Sequence, residues 1–147
     1  MADPHKALAD EATHKLLRLL RHLHCYSHHM QQHGISGRQM AILLHLAEDG
    51  PVTVGQMARY LYRSKSTAST TLAALEKAGY VTRARSTQDQ RVVAVEITPA
   101  GREAIARIPI GGIPLLRQQI KTLPPEELEH TIVAIERLMG LLDLAAD

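Results

Sequence analysis

Apolar residues fall into helical stripes at both ends of the chain and into a different rhythm in the middle. Leu8, Ala12, Leu16, Leu19, Leu20, Leu23, Tyr26 and Met30 recur three or four residues apart, which predicts one long helix over residues 8–30. Gly34 stops it. Ser36 is placed to cap a second helix, Arg38 to Ala47, with Met40, Leu43, Leu44 and Ala47 turned inward. "EDGP" (48–51) is a turn, and Thr53 caps a short helix to Leu61 with Val54, Met57, Ala58 and Leu61 apolar. After "YRS", Ser64 caps a helix to about Ala78 that buries Ala68, Leu72 and Leu75. Gly79 is suited to the left-handed position that closes such a helix.

The period then changes. "YVTRARS" and "RVVAVEIT" are β-branched and partly alternating, and the polar turn "TQDQ" separates them, so they predict a hairpin. Thr98 and Pro99 open another helix. "IPIGGIP" (108–114) should kink or break it before it resumes over Leu115–Leu123. "PPEEL" starts a last helix striped by Leu128, Ile132, Ile135, Leu138, Met139 and Leu142. Two short helices joined by a tight turn, followed at once by a hairpin, make a winged helix-turn-helix. The expected fold class is therefore mainly α with a small β-hairpin wing. Residues 34–103 form the winged helix-turn-helix. Residues 1–33 and 104–147 form a helical dimerisation region, whose apolar stripes bury each other across a homodimer interface.

Composition narrows the function. At 147 residues and 45% apolar, the chain suits one domain or two small lobes sharing a core. No apolar run reaches the roughly 18 residues of a membrane span, and the polar N-terminal stretch carries no leader pattern. No membrane partner is expected, and a single cysteine fits a reducing cytoplasm. The absence of Phe and Trp counts against binding single strands on aromatic platforms. Between Arg59 and Arg91 stand seven basic residues against two acidic ones, a local charge of +5 that leaves −3 for the rest of a chain totalling +2. Such a segment is either a polyanion-binding face or a solvated loop region. Small hydroxyl residues at a helix start let phosphates approach the positive helix end, although the same run also describes a plain capped helix. No Gly-rich phosphate loop, nucleophile elbow or paired acidic motif points to an enzyme.

Four segments in order, "LYRSKSTASTTL", "LEKAGYVTR", "DQR" (89–91) and "ITPAG" (97–101), resemble the MarR family of bacterial transcription regulators over roughly residues 34 to 105. The resemblance implies an obligate homodimer and a pseudo-palindromic double-stranded DNA operator. It also implies repression relieved by a small ligand, often phenolic or otherwise apolar and anionic, or by thiol oxidation or metal binding. Carried over by position, Lys65, Ser66, Thr67, Ser69 and Thr70 would face the major groove. Arg91 would enter the minor groove, and Asp89 would hold the wing through an ion pair with an arginine. Many relatives carry an Arg where this chain has Thr70, so Arg63, Arg83, Arg85 and Arg91 must supply more of the binding. The family's effector pocket would draw on Tyr26, Met30, Met40, Leu44 and His45, for which plain core is the preferred reading.

One stretch falls outside this scheme. "HLHCYSHHMQQH" (22–33) holds five of nine histidines and the lone Cys25. On a helical wheel Arg18, His22, Cys25, His29 and His33 share one sector, so Cys25, His29 and His22 could converge on an ion if a second element completed the cage. The plainer expectation is a solvated helix face, with no metal site and no cofactor. The alternative is a thiol- or metal-sensing regulator of the same fold with Cys25 and nearby His as the sensor. The resemblance gives that alternative little support. Zinc sensors of the family carry ligands early in the second helix, where this chain has Met40 and Ala41.

Overall fold

The structure, a computed structural model, describes residues 3–87, 89 and 91–144. The chain divides into two compact units, Met1–Pro114 and Leu115–Asp147. The first helix, α1 (Pro4–Gln32), begins ahead of its first stripe leucine, because Asp3 accepts the His5 N–H at 3.0 Å and Pro4 sits in the first turn. It ends at Gly34, whose φ of +74° turns the chain.

The winged helix-turn-helix follows as α2 (Gly37–Asp49), β1 (Val52–Thr53), α3 (Val54–Tyr60), α4 (Lys65–Lys77), β2 (Val81–Arg85) and β3 (Val93–Ile97). Local chemistry sets most of these boundaries. Ser36 with Gln39, and Thr53 with Gln56, form reciprocal capping boxes, and Ser64 caps α4 through the Thr67 N–H. The strand β1 is a correction to the sequence expectation, which left Thr53 only as a cap. Val52 pairs with Val95 and Thr53 with Ala94, so the hairpin becomes a three-stranded antiparallel sheet in the order β1-β3-β2. The third strand anchors the wing to the start of α3.

The core of this unit lies between α2, α3, α4 and the sheet. It comprises Met30, Ile35, Met40, Leu43, Met57, Leu72, Leu75, Val81, Val95, Ile97 and their neighbours. Helix α2 is more enclosed than its stripe predicts, for Ile42 and Leu46 are wholly buried alongside Met40 and Leu43. Each such side chain contributes about 1.5–3 kcal/mol on burial, against a few tenths for helix propensity, so packing rather than propensity holds this helix.

Helix α5 (Pro99–Ala106) is capped by Thr98 and ends before the proline–glycine segment, as its sequence predicts. Helix α6 (Gly112–Ile120) starts earlier than the expected resumption at Leu115. A long-range contact explains the break. The Tyr26 hydroxyl donates to the Pro109 carbonyl at 2.7 Å, and Tyr26 ring carbons would lie 2.4 Å from a Cβ at either Gly111 or Gly112. Only glycine lets the ring lie against that backbone. In the second unit, α7 (Pro125–Leu141) starts at Pro124 without a side-chain cap and carries Glu126 and Glu127 in its positive first turn. Among the described residues no helix is long and apolar enough to cross a membrane.

Candidate nucleic-acid interface

Helix α4 presents its first turn to solvent at the end of a tight α3–α4 turn. Two hydrogen bonds close α3: the Tyr62 N–H reaches the Arg59 carbonyl at 3.1 Å, and the Arg63 N–H reaches Ala58 at 3.0 Å. This is a Schellman pattern, and it demands a left-handed residue at position 62. The same pattern closes α4, where Gly79 (φ +78°) meets the demand without strain. At the α3 end the residue is Tyr62, with φ +52°. A bulky residue held there stores on the order of 1–3 kcal/mol. Its ring is 82% exposed, so no packing compensates. Arg59, Tyr62 and Arg63 line one open groove with Ser64 and Thr67. Tyr62 was absent from the sequence expectations, and Arg59 was counted only as charge. The available signal was a tyrosine in the turn "YRS", where a glycine would be ordinary.

The five residues expected on the recognition face separate on inspection. Lys65, Ser66 and Thr70 are exposed, whereas Thr67 and Ser69 are half-buried. Thr67 belongs to the cap: its N–H donates to Ser64 Oγ at 3.1 Å, and the Ser64 hydroxyl donates to Thr67 Oγ1 at 3.0 Å. The Thr70 hydroxyl donates back to the Ser66 carbonyl at 3.0 Å, which leaves its oxygen as an acceptor. The Lys65 stem leans on Gly55, where an added Cβ would meet Lys65 Cε at 3.3 Å. Lys65 and Arg91 thereby line one hollow between the start of α3 and the root of the wing.

At the wing, two of the expected residues make contacts within the chain. Asp89 does shape the wing, but not through an arginine ion pair: its Oδ1 accepts the Arg91 backbone N–H at 2.9 Å, and its carbonyl accepts the Val92 N–H at 2.9 Å. A short carboxylate folding back on the chain two residues on makes a local turn. Among the described residues no ion pair joins Asp89 to an arginine. Arg83, expected among the DNA contacts, is held by Glu76 instead, with Nε at 2.9 Å and Nη2 at 2.7 Å from Oε2. This pair ties the end of α4 to β2, and the Arg83 hydrogen bonds lower the Glu76 pKa. Arg63, Arg85 and Arg91 are exposed and enter no ion pair among the described residues.

Of the five pocket candidates, Met30 and Met40 are wholly buried and Leu44 nearly so, all within the core. Tyr26 is occupied at Pro109. His45 stacks on Tyr60 at 3.8 Å between ring centres, and its Nδ1 lies 2.7 Å from Asp49. Cys25 is exposed, and among the described residues no group of three or more His, Cys, Asp or Glu side chains converges on one point.

An exposed helix start set among cations, beside an arginine-bearing hairpin rooted in the same small core, defines a winged helix-turn-helix fold. Residues 33–92 match the profile of the MarR family. A regulator of Bacillus subtilis strain 168, YfiV, described as an uncharacterised HTH-type transcriptional regulator, is 29% identical over 107 residues, covering 73% of this chain and 67% of the relative. AbsC, a MarR family transcriptional regulator from Streptomyces coelicolor, shares the fold with a TM-score of 0.66 at 23% identity, over 97% of each chain. The S. aureus MepR–DNA complex does so at 0.61 and 20% identity, over 96% of this chain and 99% of that one. The chain therefore resembles the MarR family of transcriptional regulators over residues 33–92 and shares the fold of AbsC and MepR.

Proposed function

We propose that the protein is a homodimeric, ligand-responsive repressor that binds a pseudo-palindromic DNA operator. The observation that carries this is the shared hollow of Lys65 and Arg91, which joins the start of the recognition helix to the wing. Ser66 and Thr70 face bases in the major groove, and Arg91 enters the adjacent minor groove, where a narrow, negative channel favours a cation. Arg59, Tyr62, Arg63 and Arg85 hold the backbone and set the register. Arg83 acts indirectly, by bracing β2 against α4. A DNA complex of a protein sharing the fold supports the choice of partner.

Dimerisation follows from apolar surface. On α1, Leu8 is 67% and Leu20 52% exposed, and on α7, Ile132 is 54% and Ile135 47% exposed. Stripes of this kind on two long helices call for a second copy to cover them. Residues 1–33 and 104–147 then form the dimerisation region and residues 34–103 the DNA-binding region. Ligand response requires the core around Met30, Met40 and Leu44 to open, with Tyr26 and His45 at its edge, and a phenolic acid is the first class of effector to try. A gel shift on DNA flanking the protein's own gene, paired with a measurement of mass in solution, tests the proposal. A retarded band from a dimer supports it; a monomer indifferent to DNA sequence overturns it.

A further inference from the structure

We infer that Gly55, the second residue of α3, is a positioning residue for DNA binding: it seats the Lys65 side chain against the root of the wing, where the ammonium takes a phosphate of the DNA backbone. Glycine is the poorest helix former apart from proline. Nothing in the local backbone calls for it here, because Gly55 is helical and is not among the glycines of positive φ. Its missing side chain makes room for a residue of another helix. An added Cβ would meet Lys65 Cε at 3.3 Å and Nζ at 3.8 Å, and the next neighbour is Thr53 Oγ1 at 3.9 Å. The space above Gly55 is the track along which the lysine lies.

Lys65 is itself unfavourably placed within the chain. It is the first residue of α4, at the positive end of the helix, and the first turn holds no acidic residue. Among the described residues no carboxylate pairs with it. The hollow that it enters has a volume of about 350 Å³. Lys65 and Arg91 are the charged residues on its wall, and the others lining it are uncharged. A poor helix former and a cation at the wrong end of a helix are two local penalties with one common result, an ammonium held beside Arg91 without a counter-charge. Local rules are broken in this way where function requires it, and the partner that two such cations lack is an anion from outside the chain. On the DNA-binding reading above, on which the role of Gly55 rests, that anion is a backbone phosphate.

Full-length wild type, Gly55→Ala and Gly55→Ser would be titrated by fluorescence anisotropy against DNA flanking the gene and against a scrambled duplex. Each Gly55 change would be repeated in the Lys65→Ala and Arg91→Ala backgrounds. The added Cβ displaces the flexible end of a lysine rather than backbone, so the urea midpoint should be unchanged or higher. Binding should weaken about three- to tenfold on both duplexes alike, as a lost phosphate contact does. The loss should vanish in Lys65→Ala, where there is no ammonium to displace, and persist in full in Arg91→Ala. A merely structural role would instead lower the urea midpoint and cost the same affinity in every background. Unchanged affinity in both Gly55 variants, or a loss that survives Lys65→Ala, would overturn the role of Gly55 and leave the DNA-binding reading in place. Wild type that binds neither duplex would overturn both.

Discussion

Gly101, the last residue of "ITPAG", sits where α5 crosses the junction of α4 and β2. A Cβ added there would lie 2.3 Å from the Tyr80 carbonyl oxygen and 2.8 Å from Ile97 Cγ1. Neither neighbour gives way easily. The Tyr80 carbonyl accepts the Thr98 N–H at 3.0 Å, the Thr98 hydroxyl donates to the Gly79 carbonyl at 2.6 Å, and Ile97 is in the core. Carbon–oxygen contacts normally begin at about 3.3 Å, so Gly101→Ala must push α5 outward by about 1 Å. That movement loosens Ile105 and Ile108 from the core, and the expected destabilisation is about 2–4 kcal/mol, toward the upper end for overpacking. Urea unfolding followed by circular dichroism, at one protomer concentration because a dimer's midpoint depends on it, measures the loss. Gly140→Ala is the comparison, since nothing lies within 4 Å of its added Cβ and it lies in a helix. It should be neutral or stabilising by up to about 1 kcal/mol. If Gly101→Ala matches wild type within about 0.5 kcal/mol, the steric argument for this motif glycine is wrong.

Three further outcomes are expected. Glu76 has its pKa lowered from 4.5 by Arg83, so its carboxylate stabilises the fold above that ordinary value and the contribution disappears as pH falls through the lowered one; urea midpoints between neutral and acid pH should fall less steeply for Glu76→Gln than for wild type. Tyr62→Gly relieves the left-handed strain and should leave stability unchanged or raised by up to about 1 kcal/mol while weakening DNA binding, a trade-off visible by running melts and anisotropy titrations on the same sample. Truncation after Leu123 removes α7 and should give a monomeric or aggregating protein that binds DNA poorly, and light scattering that still finds a soluble dimer would count against the dimerisation region.

The elements most legible in the sequence were those closed by local chemistry. Ser36, Thr53, Ser64 and Thr98 each cap a helix through a neighbour three residues away, so spacing alone locates them. What escaped depends on distant partners. Strand β1 exists because Val52 meets Val95, and no pattern in "PVTV" announces that pairing. The enclosure of Ile42 and Leu46 arises because other elements surround α2, whereas a stripe marks only one face. Tyr26 and the Gly111–Gly112 break were each visible in the sequence, but their contact was not. At the candidate interface, composition gave the charge of Arg83 without revealing that Glu76 holds it. The wheel placed His29 and His33 on one face, and only coordinates supply their 3.3 Å approach.

The central claim is that the recognition helix and the wing read DNA as one unit, and binding isotherms at several salt concentrations test it most directly. Wild type, Lys65→Ala and Arg91→Ala would be titrated against DNA flanking the gene and against a scrambled duplex of the same composition. Arg91→Ala should cost about 1–3 kcal/mol, chiefly where A·T-rich flanks narrow the minor groove. Lys65→Ala should weaken both duplexes alike and lower the slope of log affinity against log salt by about one unit. Intact affinity in Arg91→Ala, together with lost sequence preference in Lys65→Ala, would contradict the account and leave the helix as sole reader.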